Sequence, residues 1–161
     1  MNKQPSDFFL FTEEENNALN SRVEVRQVRG EQKDFVECLV RNKSVQLKPE
    51  ERVRQLWLAR LVEDFGYPLS RIQVEFPITF GRDSSKRADI VIFDADRPTV
   101  PYIIIEVKKD KLIEGKNQLK SYAHATGAPL ALWSNGVTFE VWERRNPNYF
   151  EPIHSLSLIH I

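Results

Sequence analysis

Apolar and polar positions alternate over Ile72-Gln73-Val74-Glu75-Phe76-Pro77-Ile78, the period-two pattern of a half-buried strand. Two denser apolar runs follow, Ala88 to Phe93 and Tyr102 to Lys108, joined by a polar loop at 94–101. Both read as β-rich. Val53, Leu56, Trp57, Leu61 and Phe65 recur at three- and four-residue spacing, which predicts an amphipathic helix. Pro49 suits its first turn, and Gly66 ends it. A second helix is predicted over about 113–126, stopped by Gly127. Pro129 to Ser134 is apolar, Asn135-Gly136 is a hairpin turn, and Thr138 to Trp142 is another strand. Asp34 to Val40 reads as an earlier strand, 41–48 as a polar connection, and Gly81 to Lys86 as a turn. Residues 1–30 are polar and acid-rich except for Phe8-Phe9-Leu10-Phe11, and read as a short strand or helix plus loops. The tail 146–161 has no clear period. Strand, helix, three strands, helix, two strands implies a mixed central sheet with helices on its faces.

A chain of 161 residues fits one domain, with a core over about 34–143. With 23 basic and 23 acidic residues the formal net charge is zero, which argues against a bulk electrostatic DNA binder. Any DNA affinity is then modest, or is supplied by other domains or subunits. Cys38 is the single cysteine, so neither an internal disulfide nor a cysteine-built zinc site is available. That count, with no signal-peptide h-region and no membrane-length apolar run, predicts a reduced, cytoplasmic home.

The chemistry gathers at the second and third apolar strands. Asp89 sits at the start of Ala88–Phe93, and Glu106 and Lys108 end the run Ile103-Ile104-Ile105-Glu106-Val107-Lys108. Alternation puts Glu106 and Lys108 on one face. If the two strands are neighbours, three ionisable groups converge. Two carboxylates supply hard oxygen ligands for Mg²⁺ while leaving positions for water and phosphate oxygens. A lysine beside them can position or deprotonate the attacking water and neutralise charge in phosphodiester hydrolysis. Glu-x-Lys alone is a weak signal, and an ordinary strand salt bridge is its plain alternative. Acids at the edge of an Ile/Val run need a further reason to be there. On the first helix Glu50 shares a face with Val53 and Trp57, so it leans toward the core as an additional metal or metal-water ligand, with Arg54 its expected ion-pair partner. Glu51 reads as a plain helix-dipole charge. On the second helix Gln118, Tyr122 and Ala125 share a face and Leu119 points elsewhere. Lys108, Lys109, Lys111, Lys116 and Lys120 form a basic patch, by default a solvated face and functionally a DNA-backbone contact. His124, His154 and His160 lack metal-ligand spacing, and Trp57, Trp133 and Trp142 read as core.

Glu50, Asp89, Glu106-Val107-Lys108 and Gln118-x-x-x-Tyr122 occur in the order of PD-(D/E)XK nucleases with the Gln-x-x-x-Tyr motif. From Leu47 to Gly136, about 90 of 161 residues, the chain resembles the N-terminal nuclease domain of type I restriction enzyme R subunits. The resemblance implies a restriction-endonuclease-like α/β fold, Mg²⁺ dependence and cleavage of double-stranded DNA. It implies metal ligation by Asp89 and Glu106 with the Val107 carbonyl, Lys108 as catalytic lysine, and Gln118 and Tyr122 contacting DNA or orienting the site. Modification and specificity subunits would be the partners. Ala88 stands where the motif has proline, and no G-x-x-x-x-G-K-[ST] is present, so ATP enters only through a motor domain of a longer chain. Two other readings are a nuclease-fold domain that binds without cutting and a structural module whose charges are salt bridges. The latter expects Asp89 and Glu106 to pair with arginines.

Overall fold

The computed structural model describes residues 10–147 and 149–154. Phe8 and Phe9 of the N-terminal apolar run, and the tail from 155 including His160, lie outside the described residues. Among the described residues, three α-helices and nine strands, with a short 3₁₀ turn at Leu69–Arg71 before β4, follow in the order α1 (Glu13–Asn20), β1 (Glu24–Val28), β2 (Glu31–Glu37), β3 (Ser44–Gln46), α2 (Pro49–Glu63), β4 (Ile72–Phe80), β5 (Asp83–Phe93), β6 (Pro101–Val107), α3 (Lys116–Thr126), β7 (Leu130–Ser134), β8 (Phe139–Asn146) and β9 (Tyr149–Ile153).

Strands β1–β3 form a small antiparallel sheet; β4 to β9 form a six-stranded sheet in sequence order. Every pairing in the larger sheet is antiparallel except β6–β7. A parallel pair needs a crossover, and α3 supplies it. Each face of the sheet carries its own core. On one, Trp57, Leu58 and Leu61 of α2 pack on Ile90, Ile92, Ile103 and Ile105. On the other, Leu119, Tyr122 and Ala123 of α3 pack on Val91, Phe93, Ile104 and Trp133. A strand covered on both faces has no polar side to show, hence the near-continuous Ile/Val runs of β5 and β6.

The structure corrects several element bounds. Strand β5 begins at Asp83, so most of the expected Gly81–Lys86 turn is strand and Asp89 lies inside β5, not at its start. Residues 83–87 are exposed and polar, so their alternation leaves no hydrophobic trace. The expected polar connection at 41–48 contains β3, the N-terminal region contains α1 and β1, and the tail contains β9. Leu119 is buried beside Tyr122, so α3 turns 119, 122 and 123 to the sheet and leaves Gln118 exposed.

Strand alternation slips at the site. Val74 packs with the α2-side core and Phe76 with the α3-side core; opposite them, Ile90 and Ala88 do the same. Between those pairs lie Glu75, whose φ is 55°, and Asp89. A left-handed residue inside a strand redirects the pleat, and here it lets Asp89 reach both α2 and β6.

Candidate active site at the β5–β6 fork

The β5–β6 ladder ends at Ile90 opposite Ile105. One step further Asp89 faces Glu106, and Asp89 Oδ2 accepts a hydrogen bond from the Val107 N–H at 2.8 Å. The carboxylate thus takes the place of the next ladder rung. On its other side β6 stays paired with β7 through Glu106 and Val107, and Lys108 N–H donates to the Ser134 carbonyl at 2.8 Å. The fork is therefore rigid on the Glu106 side and shaped by a side chain on the Asp89 side.

Glu106 is 5% exposed. Its Oε1 is 3.3 Å from Lys108 Nζ, while Oε2 is buried without a hydrogen-bond partner. Burial, then the charge and hydrogen-bonding proximity of Asp89, push its carboxyl up to about 8 against the pull of Lys108. For Lys108, burial works against the ammonium, but Glu106, Glu50 and Asp89 outweigh it and raise its pKa. Lys108 therefore stands as a cation. Its side chain runs over Gly115, where an added Cβ would lie 2.7 Å from Lys108 Cε. The following loop is pinned by Asn135 Nδ2 donating to the Leu112 carbonyl and Trp133 Nε1 to that of Glu114.

Glu50 enters from the first turn of α2. Burial, then the Asp89 charge, raise its pKa, with Lys108 and Arg54 opposing. It faces the same charges as the fork. Its expected ion-pair partner is corrected: Arg54 donates to Asp89 Oδ1 at 2.9 Å and to Glu51 Oε2 at 2.6 Å. Glu51, expected to be a plain dipole charge, is mostly buried and also takes Arg41 and Gln55. Tyr122 approaches from α3; burial, then Glu106 and Asp89, push its phenol up. Gln118, Lys109 and Lys111 are exposed and flank this layer without entering it. Lys116 and Lys120 lie over the Trp133 and Trp142 rings, and Lys116 pairs with Glu140. His124 sits exposed against Phe150.

Asp89 and Glu106 fit a divalent cation in donor chemistry, and the unpartnered Glu106 Oε2 is the atom such an ion would satisfy. Among the described residues, no three His, Cys, Asp or Glu side chains gather tightly enough to hold a metal on their own. The sequence reading named Arg54 and Glu51 in other roles, and missed Arg41 and Glu75 of the network behind Asp89 and Gly115 beneath Lys108. Glu51-x-x-Arg54 at helical spacing was the one local signal for this network.

The layered mixed sheet, with an acid pair and a lysine where two central strands part, is that of a nuclease-like α/β domain. The family model for the type I restriction enzyme R protein N terminus matches residues 49–156, and the chain belongs to that family. The match begins at the first residue of α2 and spans the whole six-stranded sheet. No protein of curated function matches the chain.

Proposed function

We propose that the chain is a Mg²⁺-dependent endonuclease domain that hydrolyses phosphodiester bonds of double-stranded DNA within a type I restriction-modification system. The observation that carries this reading is Glu106: a buried carboxylate with one oxygen unpartnered, beside Asp89 and Lys108. Such a group is costly unless a cation completes it. Asp89 and Glu106 would hold the Mg²⁺, with Glu50 in reach through water; when bound, the ion neutralises phosphate charge and acidifies a coordinated water.

The chain's own groups do the rest. Lys108, kept as an ammonium by three carboxylates, offers electrostatic stabilisation of the phosphate more than proton abstraction. The Val107 N–H fixes Asp89, and the Val107 carbonyl would be a further oxygen donor for the ion. Tyr122 closes the site from α3. Gln118, Lys109 and Lys111 lie outward, where backbone phosphates would pass. Modification and specificity subunits supply target recognition, and ATP acts only where a motor domain accompanies this one. Residues 1–161 form a single domain in this reading.

The zero net charge favours a second reading, a nuclease-fold domain that binds without cutting, while the arginine partner of Asp89 is what a purely structural module would show. Plasmid DNA separates the two. Nicking with Mg²⁺ that stops with EDTA and in Glu106→Gln supports cleavage. Nicking that survives either change contradicts it, and Mg²⁺ binding without nicking favours the second reading.

A further inference from the structure

On the α2 side Arg54 contacts the Asp89 carboxylate, and behind Arg54 lies an ion-pair network of Glu51, Arg41 and Glu75. Arg54 is 6% exposed, and its Nη2 lies 2.9 Å from Asp89 Oδ1. Val107 N–H occupies Oδ2 at 2.8 Å, so both Asp89 oxygens are already engaged, while Glu106 keeps a free one. A cation on Asp89 therefore shares Oδ2 with the backbone N–H of Val107 or competes with Arg54 for Oδ1, and of the two donors only the Arg54 side chain can give way. A place to retreat exists. Arg54 Nη1 is 2.6 Å from Glu51 Oε2 and 3.9 Å from Glu75 Oε1. Glu51 and Glu75 are also held by Arg41, with an Nη1–Oε2 separation of 3.6 Å at Glu75. Arg54 thus stands between two acidic groups: Asp89 toward the site, and Glu51 with Glu75 away from it.

We propose that Arg54 is a positioning residue, an internal counter-cation that holds Asp89 in place while no metal is bound and yields Asp89 Oδ1 to the divalent ion, moving onto Glu51 and Glu75. This rests on the reading of Asp89 and Glu106 as the metal pair. The buried guanidinium neutralises Asp89 and points its carboxylate at the fork, and it sets how much free divalent ion is needed to load the site.

The test is a Mg²⁺ titration of the full chain, followed by calorimetry, for the wild type and Arg54→Met. Methionine keeps much of the volume, and Arg41 still pairs with Glu51. Without the competing cation, Arg54→Met should bind Mg²⁺ about tenfold or more tightly than the wild type. It should also melt lower than the wild type without metal and gain more Tm from Mg²⁺. Equal or weaker binding by the folded variant overturns the proposal. Should Arg54→Met not fold, the nitrogen-15 signals of the Arg54 guanidinium in the wild type decide: a shift that saturates with Mg²⁺ binding supports displacement, and an unchanged signal at saturation overturns it. Wild-type binding with Arg54 indifferent sinks this inference and leaves the nuclease reading standing. Mg²⁺ binding by neither protein sinks both.

Discussion

Lys108 owes its position to a residue with no side chain. A Cβ at Gly115 would lie 2.7 Å from Lys108 Cε, and φ there is 96°. Gly115→Ala is expected to cost about 1–2 kcal/mol in backbone strain and to push the ammonium out of the site. DNA cleavage should fall by much more than the small drop in Tm implies; an unchanged rate would contradict the placement of Lys108. Glu106 sets the pH dependence. Its folded pKa is raised, to about 8, so the folded chain holds a proton that the unfolded chain releases at the ordinary carboxylate pKa. The stability this group contributes is therefore full below the unfolded value and is lost as pH rises through the window up to about 8. Mg²⁺ must displace that proton. Its apparent affinity should climb by up to about tenfold per pH unit below that value, then level off. A flat affinity between about pH 6 and 8 would contradict the placement of Glu106 beside Asp89. At this scale the sequence was informative where residues act along one strand. Glu106 and Lys108 share a face by alternation alone. The Arg54–Asp89 pair joins residues 35 apart on different elements, and no local pattern encodes it.

Helix α2 is the element that joins the fork to the core. Trp57 is fully buried and meets the Phe11 and Phe139 rings edge-on. Trp57→Ala should cost about 3–5 kcal/mol of stability, read by urea denaturation. A loss under about 1 kcal/mol would mean that the α2 face is not packed as described. Helix α1 is fastened to α2 by Arg60, which donates to both carboxylate oxygens of Glu15. Burial works against the Glu15 carboxylate, but hydrogen bonds from Arg60 and Thr12 prevail and hold its pKa below the ordinary value. The contribution of a depressed carboxyl is present above the unfolded pKa and lost as pH falls through the folded one. The wild type should therefore lose this fastening as pH drops below about 4.5. Glu15→Gln, lacking it already, should show a smaller loss of Tm over that acid range; identical acid limbs would argue against the pair. Helix α2 was legible because its apolar spacing is local. Strand β2 was legible in part, since the run from Asp34 overlaps it, whereas β1 and β3 were largely hidden because their residues are mostly polar and exposed or half-buried, with no apolar face to mark them.

At the scale of the molecule, the two-faced sheet explains why the chemistry is at one end. Both faces of β5 and β6 are covered, so charged groups are tolerated only where the strands part. The layering followed from the sequence because the order of strands and helices implies a mixed sheet with helices on its faces. The slip at Glu75 and Asp89 did not, since it depends on a backbone angle. Net charge is zero, so DNA affinity should rest on few phosphate contacts. Lys109→Ala and Lys111→Ala should each weaken binding to any duplex alike and lower the slope of log affinity against log salt by about one. An unchanged slope would move the DNA path away from this loop. Among the described residues no helix is long and apolar enough to cross a membrane.

The central claim is that Asp89 and Glu106 together form a metal site. Isothermal titration of Mg²⁺ into the wild type, Asp89→Ala and Glu106→Ala tests it without requiring DNA or a partner subunit. The expected result is binding by the wild type and none by either variant, with both variants folded by circular dichroism. Three indistinguishable titrations would contradict the claim and leave the fork a set of buried ion pairs.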